Sequence, residues 1–102
     1  MRKVMFVLSL LACSCVNAEI TPHNVCETVY DESHAIMELR QMNFSITKLL
    51  AAYPNSKPAR ELILSAYAKP LYNTSTHKQR AIESFANSAT LECLKNPQVW
   101  FK

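Results

Sequence analysis

Glycine is absent from all 102 residues. That excludes a P-loop, a GxGxxG dinucleotide turn and a GxSxG nucleophile elbow, each of which needs glycine where the backbone turns or approaches a ligand. No stretch alternates apolar and polar residues over a useful length, so no strand is expected, and no internal repeat is visible. The apolar run Val4–Ala12 is too short to span a bilayer, which needs about 20 residues. What remains is a chain with 49% hydrophobic residues, ordinary for one globular domain and against wholesale disorder.

Residues 1–18 read as an address. Met1-Arg2-Lys3 is a short positive start, Val4–Ala12 is the apolar middle, and Val16-Asn17-Ala18 puts small residues at a cleavage site. This is the three-part pattern of a secretory signal peptide. Two alternatives stand beside it. One is an uncleaved anchor. The other is a lipoprotein, because Leu10-Leu11-Ala12-Cys13 resembles a bacterial lipobox that would lipidate Cys13. The expected organisation is a signal peptide at 1–18 and a single helical domain at 19–102. The expected location is the periplasm, with an outer-membrane lipoprotein as the alternative.

Removing residues 1–18 leaves 9 basic residues against 8 acidic ones. That balance supports no nucleic-acid partner, and a membrane partner only if Cys13 is lipidated. Charge is nonetheless segregated along the chain. Residues 19–43 carry net −4 and residues 44–102 net +5. The plainer account is an acidic first helix packing beside basic later ones.

Removal also takes away Cys13 and Cys15, leaving Cys26 and Cys93. In an oxidising compartment two cysteines allow one intramolecular bridge. A catalytic thiol beside His23 and a zinc site from Cys26, Cys93, His23 and His34 are weaker readings. The first competes with a partner cysteine, and the second lacks the close paired spacing of structural zinc. No catalytic residue, metal or cofactor is expected.

The body reads as four helices. Thr21-Pro22 opens the first, with Cys26, Val29, Tyr30, Ser33, Ile36 and Met37 on one stripe, and Asn43 stops it after about Met42. Ser45 caps a short second helix from Ile46 to about Tyr53. Ser56 caps a third, with Ala59, Leu62, Ile63, Ala66 and Tyr67 on one face, ended by Pro70. Thr74 or Ser75 caps the last, with Ile82, Phe85, Ala86, Ala89 and Cys93 buried, and Asn96-Pro97 stops it. The expected fold is all-α: a small four-helix bundle, or three long helices plus one short, with one disulfide. An up-down order brings Cys26 and Cys93 to the same end.

The string Met37, Arg40-Gln41, Ala59-Arg60-Glu61, Ala66-Tyr67-x-x-Pro70-x-Tyr72, Gln79-Arg80-Ala81-Ile82, Phe85-x-Asn87 and Cys93 resembles a group of uncharacterised small exported helical proteins of Gram-negative bacteria and their phages. It covers about residues 26–93. Members often carry glycine after the Arg-Gln pair, where Met42-Asn43 stands here. The resemblance implies a periplasmic protein and carries over no catalytic residue.

Candidate partner-binding residues are Tyr67, Pro70, Tyr72, Arg40, Arg60, Arg80, Trp100 and Phe101. The three arginines would form an anionic site, or each would snorkel or pair with Glu38, Glu61 or Glu83. Tyr67, Pro70 and Tyr72 would make a recognition loop, or simply pack and end a helix. Trp100-Phe101 would fold back or stay as a contact. Glu61 with Glu83 as an acid–base pair is the weaker reading of two surface glutamates, as is His34 with Glu38. The sequons Asn43-Phe44-Ser45 and Asn73-Thr74-Ser75 matter only in a eukaryotic secretory pathway. The expected function is a non-enzymatic protein-binding module, such as an inhibitor of, or immunity protein against, an envelope-acting enzyme. The alternatives are a structural or accessory component of an envelope assembly and, last, an enzyme.

Overall fold

The computed structural model describes residues 22–96, which form four helices and, among the described residues, no strand. The signal segment 1–18 with Cys13 and Cys15, the Thr21 cap, Pro97 and the Trp100-Phe101 tail lie outside the described residues. Helix α1 spans Pro22–Gln41, α2 Ile46–Ala52, α3 Lys57–Tyr67 and α4 Ser75–Lys95.

Local chemistry accounts for most of these boundaries. Pro22 opens α1, where a missing N–H removes no helical hydrogen bond. Asn43 ends it with φ of 62°. The Phe44 N–H donates to the Leu39 carbonyl at 3.0 Å and the Asn43 N–H to that of Arg40 at 2.9 Å. This double closure is usually built on glycine, because a Cβ is strained at positive φ. In a chain without glycine, asparagine takes the position. Asn43→Ala is therefore expected to cost about 1 kcal/mol, and Asn43→Gly to be neutral or slightly stabilising. Urea unfolding checks this, and an alanine variant as stable as wild type would refute the strain.

The other three helices start on hydroxyl caps. Ser45, Ser56 and Thr74 accept from the backbone N–H groups of Lys48, Ala59 and His77 respectively. One boundary departs from the sequence reading. Helix α3 stops at Tyr67, three residues before Pro70. The carbonyls of Lys69 and Pro70 face side chains of α1 instead of continuing the helix.

Helix α1 is the spine. It packs most extensively on α4 and next on α3, while α2 packs on α3 and the backbones of α3 and α4 barely approach each other. The main core gathers Ile36 and Met37 from α1, Leu49 from α2, Leu62, Ile63 and Ala66 from α3, and Ile82 and Phe85 from α4. Ile63 and Ala66 have no solvent exposure. Most of the expected stripe residues are buried. Tyr30, Tyr67 and Ala89 are half-buried.

The rest of the α1–α4 pair extends beyond this core as a two-helix hairpin. Its own cluster is only Cys26, Val29 and Cys93, with Val25 and Ala89 against it. Cys26 and Cys93 form a disulfide across 67 residues, with Cα atoms 5.6 Å apart. One buried valine contributes about 2 kcal/mol, which is little against the entropy of ordering several helical turns. The bridge is what holds this end.

Antiparallel packing converts the charge bias along the chain into a bias along the molecule. The hairpin end, residues 22–33 and 86–96, carries Glu27, Asp31, Glu32 and Glu92 against Lys95. Residues 34–85, which include both loops at the opposite end, carry seven basic side chains against Glu38, Glu61 and Glu83. Opposite ends of the protein therefore carry opposite net charge.

Candidate functional site

The two loops at the end opposite the disulfide are stitched together by the last turn of α1. Gln41, only 4% exposed, uses both ends of its amide. Its Nε2 donates to the Pro70 carbonyl at 2.9 Å, and its Oε1 accepts from the Tyr72 N–H at 2.9 Å. The side chain thus pairs with the loop backbone as a neighbouring strand would. Arg40 donates from Nε and Nη2 to the Lys69 carbonyl, at 3.1 and 2.8 Å. Its guanidinium also lies 5.3 Å from the Tyr67 ring centre. The Tyr67 hydroxyl donates to the Phe44 carbonyl at 2.7 Å, tying α3 to the α1–α2 loop. Lys78 Nζ donates to the Gln41 carbonyl at 2.9 Å, tying in α4.

These bonds leave apolar side chains outside. Met42, Phe44, Leu71 and Tyr72 are all exposed, Met42 by 73%. Tyr72 is steadied by the His77 ring, 6.2 Å away between centroids. His77 is itself held by its Nδ1 hydrogen bond to Thr74 at 2.8 Å. A loop whose backbone polar groups are held from inside, and whose apolar side chains face out, is prepared for contact with little further ordering.

Burial pushes the Tyr67 phenol above its ordinary pKa, with Arg40 acting in the opposite direction. Both keep to structural work, since the neutral phenol is the donor to Phe44. At the hairpin end, partial burial raises the Glu32 carboxyl above its ordinary value.

Four of the sequence candidates, Arg40, Tyr67, Pro70 and Tyr72, meet at this end. The side chains of Arg60 and Arg80 are exposed and make no hydrogen bond or ion pair among the described residues. The expected pairings of the three arginines with Glu38, Glu61 and Glu83 do not form. Arg40 is taken by a backbone carbonyl, and the two ion pairs among the described residues are His23–Glu27 and Glu92–Lys95. Glu83 accepts from Gln79 instead. Cys26 and Cys93 bind each other, which removes them as a thiolate or as zinc ligands. Gln41 and Lys78 were not singled out as site residues. Their only sequence signal is that Gln41 stands in the Arg40-Gln41 pair of the resemblance string.

A second feature lies beside the loop end. Because α3 and α4 rest on α1 without closing on each other, a groove of about 470 Å³ runs between them. Met37, Leu62 and Phe85 form its apolar base. Ser65, Ser84 and Ser88 line it with hydroxyls, and Lys69, Glu61 and Glu92 are its charged groups. Glu83 is not among its lining residues. The groove brings no catalytic dyad of Glu61 with Glu83 or a histidine into one place.

The chain matches no protein-family model, and no curated protein or solved structure matches it. Among the described residues no helix is long and apolar enough to cross a membrane. The class defined by fold and site is a disulfide-closed all-α domain with a pre-ordered apolar loop end.

Proposed function

We propose that the protein is an exported, non-enzymatic binding module that inhibits, or gives immunity against, an enzyme acting on the cell envelope. We place it with the small exported proteins of Gram-negative bacteria and phages that its sequence resembles. The observation that carries the reading is the loop end. Leu71 and Tyr72 project from a segment whose backbone is held by Gln41 and Arg40, beside Met42 and Phe44. Rigid aromatic and aliphatic anchors are what a protein partner's pocket takes up. The N-terminal segment and the disulfide support passage to an oxidising compartment.

Charge narrows the partner. The loops belong to the net-positive part of the molecule. Enzymes that cut cell-wall glycan keep a pair of carboxylates in an open cleft. An apolar tip in a positive field fits such a cleft and is drawn to it over several ångströms. The test is titration of envelope glycosidases with the purified protein while their hydrolysis of cell-wall glycan is followed. Stoichiometric inhibition is expected, weakened at least tenfold by Leu71→Asp and declining with salt. Full glycosidase activity at saturating protein, with no complex detected, would overturn it. Recovery of the protein in membranes, lipidated at Cys13, would instead favour the envelope-assembly role.

A further inference from the structure

The groove between α3 and α4 is polar in a directional sense. Lys69 stands at its loop end and Glu92 at its hairpin end. Above the Phe85 base, the α4 rim of the groove is small over Ala81, Ser84 and Ser88. Leu91, 52% exposed, stands at the edge of that face outside the groove lining, seven residues and two turns after Ser84. The α4 face thus has a small half and a large half, just as the groove has a basic end and an acidic end.

We propose that two copies of this chain pair about a two-fold axis, antiparallel along α4, each filling the groove of the other. A two-fold interface must be self-complementary, and both gradients are. With the axis near Ala86, Leu91 and Ala81 are equally far from it on opposite sides. The antiparallel copy therefore sets each leucine against the small residues of the other helix. The same operation sets Lys69 against Glu92 of the second copy, twice. It also brings the Ser84 and Ser88 hydroxyls toward Glu61 of the second copy, where they can donate to its carboxylate. The competing contact at Glu92 is its own Lys95, 3.9 Å away on an exposed turn, and such pairs hold weakly.

The long-range field selects this occupant. An antiparallel copy lays the acidic hairpin end of one molecule beside the basic part of the other. A basic partner helix would suit Glu61 and Glu92 but would oppose Lys69 and the net-positive part of the molecule around it. An acidic one would meet those carboxylates directly.

Sedimentation equilibrium of the purified, disulfide-intact protein tests the pairing with no other protein present, so it stands or falls apart from the inhibitor reading. Wild type is expected to show the mass of a dimer that weakens as salt rises. Leu91→Lys is expected to weaken it by more than tenfold with helix content unchanged. Lys69→Glu and Glu92→Lys are each expected to weaken it about tenfold, and the double exchange to regain most of the loss. A monomer at every concentration in low salt would overturn the proposal. So would masses that climb past the dimer, or a double exchange no tighter than the single ones.

Discussion

Breaking the Cys26–Cys93 bridge is expected to lower stability by about 4 kcal/mol, from the entropy of a loop of this length. That corresponds to roughly 15–30 °C in Tm for a domain of this size. The loss is also expected to be uneven. Besides the cysteines the hairpin end buries only Val29 and the small Ser33 and Ala86, whereas the main core draws on all four helices. In the Cys26→Ala, Cys93→Ala double variant, amides of the first half of α1 and the last half of α4 should exchange quickly. Those of α3 should stay protected at lower temperature. Hydrogen exchange with mass readout distinguishes the two regions. Equal loss of protection across all four helices, or an unchanged Tm, would show that the bridge does not hold this end by itself.

Gln41→Met carries the second large effect. Methionine keeps the volume but can neither donate to the Pro70 carbonyl nor accept from the Tyr72 N–H. Both loop groups lose their partner at a part-buried position, at a cost of about 2 kcal/mol. The amide of Tyr72 reports this directly. It sits in a loop, and the Gln41 side chain is its acceptor, so its slow exchange in wild type should become fast in the variant. Gln41→Glu is an informative intermediate, since its carboxylate accepts from Tyr72 but repels the Pro70 carbonyl. Retained protection at Tyr72 in Gln41→Met would show that something else holds the loop. If the loop end binds its partner as proposed, the same variant weakens inhibition through lost pre-ordering, while Leu71 and Tyr72 remain present.

Much of the fold was legible because its determinants are local. Ser45, Ser56 and Thr74 cap helices through N–H groups three residues on, and the apolar stripes repeat within one or two turns. Asn43 was readable as a left-handed stop for the same reason. The end of α3 was misplaced at Pro70 because the competing force comes from elsewhere. Arg40 and Gln41, 29 residues earlier in the chain, take the carbonyls of Lys69 and Pro70. The partner of Arg40 was hidden for the same reason, since a neighbouring glutamate looks natural until the Lys69 carbonyl is placed beside it.

The sequence by itself determined four helices, their buried faces and the hydroxyl caps of the last three. Each follows from contacts between residues a few positions apart. Only the tertiary structure decided that Gln41 is a buried clamp and not a surface amide, that Tyr67 ties α3 to the α1–α2 loop, and that α3 and α4 leave a groove open. It also turned charge segregated along the chain into charge segregated between two ends. Those outcomes depend on which distant segments α1 brings together, and no spacing within a single helix encodes that.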